Sequence, residues 1–81
     1  MRVEIQMFAA ARELAGQETI QVEVNPPAVA SDVMAAIGHQ VPEIRQLLRA
    51  CRLAVDDSYA SGDTPVSERN HLALIPPVSG G

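Results

Sequence analysis

Leu72-Ala73-Leu74-Ile75 runs directly into Pro76-Pro77, and these six residues decide how the chain folds. Successive side chains of a strand point to opposite faces, so Leu72 and Leu74 share one face while Ala73 and Ile75 share the other. A strand that is apolar on both faces belongs at the centre of a sheet. Pro76 ends it, because proline has no N–H to give to a ladder. One face is expected to pack under a helix. The other, carrying Ile75, stays open in a small domain with one covering helix. It serves either as a docking surface or as a singly exposed isoleucine of no consequence.

Moving back from this strand, Ser61-Gly62-Asp63-Thr64-Pro65 reads as turns and Arg52 to Asp56 as another strand. Pro42 suits the first position of a short helix whose apolar side is Ile44, Leu47 and Leu48. Val29, Val33 and Ile37 recur at four-residue spacing, which marks the main amphipathic helix, and Gly38 is expected just past its end. The start of that helix stays open: Ala28 and Val29 are poor caps, and Ser31 caps only a shorter helix. At the N-terminus Val3, Ile5 and Met7 alternate with Arg2, Glu4 and Gln6, a half-buried strand reaching about Phe8. Ala9 to Ala15 makes one or two helical turns before Gly16, which suits a left-handed position. Thr19 to Val24 alternates again, with Ile20, Val22 and Val24 on one face. The first two strands form a hairpin, and the order strand, strand, helix, strand, strand is an α+β arrangement.

At 81 residues the chain is one small domain, burying only about 60% of the surface its unfolded form exposes, so a deep enzymatic pocket is not expected. Hydrophobic residues make up 47% and the only aromatics are Phe8 and Tyr59, so aliphatic side chains must fill the core. Net charge is −4 with no run of basic residues, which lacks the electrostatic footprint of nucleic-acid binding and suits a basic protein partner. All six basic residues are Arg, leaving no lysine to accept an isopeptide bond, whether by codon preference or by selection. No apolar stretch is long enough for a membrane span and no basic segment precedes one, so the chain is expected in the cytoplasm.

A lone Cys51 excludes an internal disulfide. It shares a strand face with Leu53 and Val55 and reads as a core residue, with a sulfur-transfer thiol as the alternative. His39 and His71 are isolated and read as surface or turn residues, so no metal site is expected. There is no glycine-rich phosphate loop and no supported Ser/His/Asp set.

Gly80-Gly81 closes the sequence. Without Cβ atoms these residues let backbone pass through a narrow slot and leave a terminal carboxylate open to attack. The pattern resembles the small sulfur-carrier subunit of molybdopterin synthase, within the ubiquitin-like β-grasp proteins. The resemblance rests on Phe8-Ala9-Ala10-Ala11-Arg12-Glu13-Leu14-Ala15-Gly16, on Leu53-Ala54-Val55-Asp56, and on Ile75-Pro76-Pro77-Val78-Ser79-Gly80-Gly81. Two places depart from the family. Glu68-Arg69-Asn70-His71 replaces a glycine-containing turn, so Asn70 is expected to take the positive φ that glycine would favour. Leu74 and Ile75 stand where family members often carry aromatics.

The resemblance implies a β-grasp fold, a mixed sheet of about four or five strands with one main helix on one face. Residues 1–75 are expected to form the domain and 76–81 a flexible tail. It further implies that a ubiquitin-activating-like adenylyltransferase joins the Gly81 carboxylate to AMP and that a sulfur donor then makes it a thiocarboxylate, a C-terminal thioglycine, with no cofactor bound. The large synthase subunit is the implied partner. There the tail delivers sulfur to cyclic pyranopterin monophosphate to form molybdopterin, with catalytic residues supplied by that partner. Ile75, Pro76, Pro77, Val78, Ser79 and Gly80 are the expected partner-binding residues. The alternatives are a related carrier or modifier serving thiamine, cysteine or protein conjugation, and a β-grasp interaction module whose tail does no chemistry.

Overall fold

Alternation along the first strands becomes inside and outside. In the computed structural model, which describes residues 1–77, β1 (Arg2–Met7) buries Val3, Ile5 and Met7 and turns Arg2, Glu4 and Gln6 outward. β2 (Thr19–Glu23) pairs with it antiparallel, Val3 opposite Val22 and Ile5 opposite Ile20, so the buried sides coincide. Between them α1 (Ala9–Ala15) ends at Gly16, whose φ is 72° and whose N–H donates to the Arg12 carbonyl at 2.9 Å. The left-handed residue expected after the first helix is therefore Gly16.

The main helix, α2 (Ala30–Gln40), buries Ala30, Val33, Ile37 and Gly38. Its start is capped by Asp32 from the first turn and by carbonyls from outside the helix. The Asp32 carboxylate accepts the Val29 N–H at 2.9 Å, and Val29 has no side-chain oxygen with which to return a bond. The Ala30 and Ser31 N–H groups donate to the carbonyls of Thr64 and Gly62. A two-stranded ribbon of β3 (Ala28–Val29) with β6 (Pro65–Val66) holds that turn in place. Gly38 does not follow the helix as the sequence suggested; the helix continues through it to Gln40. A Cβ on Gly38 would lie 3.4 Å from Leu48 Cδ2 and 3.7 Å from Arg45 Cγ, and Arg45 Nε donates to the Gly38 carbonyl at 2.9 Å. A methyl group would sit there in ordinary contact, so the next helix leaves room for alanine and excludes larger side chains, and no chain reversal requires the glycine.

That next segment is a 3-10 turn at Pro42–Ile44 followed by α3 (Arg45–Leu48), with Ile44 fully buried. β4 (Arg52–Val55) and the short β5 (Ser58–Tyr59) form a hairpin, and β7 (Leu72–Ile75) completes the sheet. Strand order is β2-β1-β7-β4-β5. β7 runs parallel to β1 and antiparallel to β4, so it is the central strand of a mixed five-stranded sheet. Leu72 and Leu74 point into the aliphatic core with Val33, Ile37 and Ile44, and no polar or charged side chain among the described residues is buried. Pro76 and Pro77 follow β7 without regular structure. Val78, Ser79, Gly80 and Gly81 lie outside the described residues.

Asn70 does not adopt positive φ as expected. Positive φ falls instead on Asp56 and Asp57, at 51° and 70°, the two central residues of the β4–β5 hairpin turn. Asn70 acts through its side chain: Oδ1 accepts the Ser67 N–H at 2.6 Å and Nδ2 donates to Asp56 Oδ2 at 2.7 Å. Asp56 Oδ1 also accepts the His71 N–H at 2.8 Å, tying the hairpin turn to the start of β7. The His71 N–H, and secondly the Asn70 amide, hold the Asp56 carboxyl below its ordinary value of 3.8.

Two predictions follow from this packing. Gly38→Ala should stabilise the chain by ~0.5–1 kcal/mol through helix propensity, whereas Gly38→Leu should cost ~1–3 kcal/mol by driving into Leu48; urea denaturation measures both, and equal effects would contradict the close approach. Because the folded Asp56 pKa is lowered, its contribution is complete above 3.8 and is lost as pH falls through the folded value. Asp56→Asn tolerates the same turn but cannot ionise, so it should be less stable than wild type at neutral pH, with the gap closing in acid. Thermal melts against pH test this, and a gap that stays constant would remove the carboxylate charge as its source.

Candidate functional site

The sheet has two faces and α2 covers only one. On the other, strand register lines up Gln6, Ala73, Ala54 and Tyr59 across β1, β7, β4 and β5. The next row holds Ile75 opposite Arg52. The two alanines form a low floor, and Phe8, Tyr59 and Ile75 rise around it to enclose a shallow apolar concavity. Phe8 is 40% and Tyr59 57% exposed, two of the three large apolar side chains left in solvent among the described residues. Phe8 is turned out where the chain leaves β1; the next residue, Ala9, has φ 48°, a region that disfavours a Cβ. An open apolar patch framed by rigid rings is the makeup of a docking surface.

Of the residues singled out by sequence, Ile75 lies on this face, half-buried, and Pro76 and Pro77 lead away from it. Val78, Ser79, Gly80 and Gly81 fall outside the described residues. Phe8, Tyr59 and Arg52 join Ile75 without having been singled out. For Phe8 the signal was available, since it falls on the outward parity of β1. Tyr59 depends on β5, whose two residues are too short to show a period.

Cys51 is half-buried against the core, and burial pushes its thiol above the ordinary value of 9.0. That favours the protonated form and the packing role over a sulfur-transfer nucleophile. His39 and His71 are exposed, and among the described residues no three His, Cys, Asp or Glu side chains gather as a metal requires. At the far edge, Arg2 Nε lies 3.2 Å from Glu23 and holds that carboxyl low, a solvent-exposed pair of little energetic weight. A second hollow lies between β2 and α2, with Val24, Ala36 and His39 among its lining, and is open to solvent. With no buried polar group, the described interior has no dry, preorganised set of donors. No described helix is long and apolar enough to cross a membrane.

A model of the ThiS family matches residues 5–81. The chain is 30% identical over 81 residues to the molybdopterin synthase sulfur carrier subunit of Dictyostelium discoideum, covering 96% of this chain and 94% of that one. Among solved structures it resembles SAMP1 from Haloferax volcanii, at 26% identity and a TM-score of 0.87 over 100% of both chains. It also shares its fold with the complex of subunits 1 and 2 of the molybdopterin-converting factor from Helicobacter pylori 26695, at 24% identity and a TM-score of 0.70 over 100% of both chains. These solved structures match the mixed sheet and single covering helix of the β-grasp fold that the strand register describes. Matched along almost its whole length by the family model and by a sulfur carrier subunit, the chain belongs to the ThiS family.

Proposed function

We propose that the chain is the small, sulfur-carrying subunit of a molybdopterin synthase, and that its reactive group is the carboxylate of Gly81. The observation that carries this reading is the end-to-end likeness to a curated molybdopterin synthase sulfur carrier subunit. A carboxylate resists nucleophiles. Joining it to AMP, by a ubiquitin-activating-like adenylyltransferase, supplies a leaving group, and a sulfur donor then converts the acyl adenylate to a thiocarboxylate. The sulfur thereby becomes the nucleophile delivered to cyclic pyranopterin monophosphate. The large synthase subunit receives it, a pairing supported by the two-subunit complex of the Helicobacter pylori homologue. An aliphatic core with no buried polar side chain among the described residues suits a carrier whose catalytic residues belong to its partner. The single cysteine and the lack of a described membrane helix suit a cytoplasmic setting.

Six extended residues from Pro76 to Gly81 reach roughly 20 Å at about 3.3–3.6 Å each, enough to thread a partner's channel. The open face with Phe8, Tyr59 and Ile75 supplies the docking area. A second reading, a protein modifier, is favoured by the likeness to SAMP1, a small archaeal modifier protein. With no lysine the chain cannot extend itself through lysine links.

Intact mass spectrometry after incubation with ATP, sulfur donor and cognate activating enzyme should show replacement of one oxygen by sulfur. An unchanged mass with an active enzyme rejects both carrier readings. The thiocarboxylated chain with its large subunit should then convert the pterin precursor, and unchanged precursor with a competent subunit leaves the modifier reading or a carrier for another sulfur pathway. Deleting Gly81 should abolish transfer while the thermal midpoint stays near wild type. Ile75→Asp should weaken large-subunit binding by about tenfold or more with a smaller effect on folding; equal damage to both would remove the docking role of that face.

A further inference from the structure

We propose that Arg52 makes the open sheet face selective for a carboxylate: the partner surface that docks there presents an acidic side chain framed by apolar groups. This rests on the reading that the face binds the large synthase subunit, and adds the chemistry that sets its register. β4 places Arg52 directly opposite Ile75, the last residue before the chain leaves the sheet. Its guanidinium lies over the Tyr59 ring, 4.2 Å from the centroid. The ring holds the guanidinium at that distance, and the N–H groups of a guanidinium form a planar fork that matches a carboxylate.

Nothing within the described part of the chain uses that fork. The three ion pairs there engage the N-terminus, Arg2 and Arg12, and no described carboxylate comes within 4.0 Å of Arg52. Asp57 and His71 border the concavity between Phe8, Tyr59 and Ile75, which Arg52 adjoins through Tyr59 without lining it, and Asp57 does not pair with the guanidinium. Arg52 is thus a held cation beside an apolar floor on a chain whose net charge is −4. An exposed, freely moving arginine would gain little from an ion pair. A pre-positioned one beside apolar groups that exclude water gains more, because less side-chain freedom is lost and the pair is better shielded. The net negative charge attracts a basic partner from a distance, and Arg52 offers an acid within that partner's footprint a cation to pair with.

The test is titration calorimetry of the full chain with its cognate large subunit, at low salt and at about 1 M salt, where the screening length falls to about 3 Å. Arg52→Glu should weaken binding by about tenfold or more at low salt and by much less at high salt. Arg52→Lys should keep the salt dependence with part of the affinity lost, and Tyr59→Leu, which keeps apolar area but releases the guanidinium, should fall between. Thermal midpoints should stay near wild type, since Arg52 and Tyr59 are both exposed. Arg52→Glu binding within about twofold of wild type at low salt overturns the proposal, as does a loss of equal size at both salts. Wild-type chain that fails to bind a folded large subunit at all overturns the docking reading itself, which separates the two failures.

Discussion

Leu74 has no exposed surface and sits on the strand that joins the two halves of the sheet. β7 takes β1 on one side, in parallel, and β4 on the other, antiparallel. Without it the β1–β2 and β4–β5 hairpins share no ladder, and an isolated hairpin is at best marginally stable in water. A parallel neighbour also requires a crossover, so α2 must pass over the sheet between β1 and β7. Its apolar stripe of Val33 and Ile37 covers Leu72 and Leu74 in doing so. The burial of Leu72 and Leu74 therefore dictates where the helix goes, and the helix dictates which face remains open.

The open face and the departure point of the chain are consequences of one strand. Ile75 is both the outward-facing end of β7 and the residue before Pro76, so whatever docks on the face is set beside the segment that leaves it. The interior contributes cohesion only: sixteen buried apolar residues and no buried polar or charged side chain among those described. Polar work is confined to the turns, where Asp56, Asn70 and the His71 N–H hold the β4–β5 turn against the entry to β7. That arrangement ties β4 to β7 at the end of the floor opposite Arg52 and Ile75.

Much of this was legible in residue patterns, and the exceptions share a cause. Period-two alternation identified β1 and β2, and two-sided apolarity identified β7 as central, because those signals span four to six residues. Two-residue strands such as β3, β5 and β6 have no period to read; they exist because tertiary neighbours hold them. Gly38 is ambiguous for a related reason, since a glycine packed inside a helix against Leu48 looks the same in sequence as one demanded by a left-handed turn. Asn70 was given a backbone role when its side chain does the work, through a contact with Asp56 fourteen positions away. At the site, Ile75 was visible from strand parity. The Arg52 and Tyr59 pair was not, as it needs the hairpin register that sets Ala54 opposite Tyr59.

For a carrier that must leave one partner and engage another, the division between face and tail has an energetic reason. Ordering free backbone costs about 1–2 kcal/mol per residue, which Pro76 and Pro77 lessen by fixing φ beforehand and Gly80 and Gly81 increase. In the proposed role, terminal glycines keep the carboxylate sterically open, and a tail entering a partner would then do so at a net entropic disadvantage. The sheet face must supply the compensating affinity. A shallow floor of Ala54 and Ala73 with three apolar side chains around it limits how much it can supply, and selectivity then has to come from something other than buried area. A single oriented charge serves that purpose, because it penalises a mismatched surface more than it strengthens the matched one.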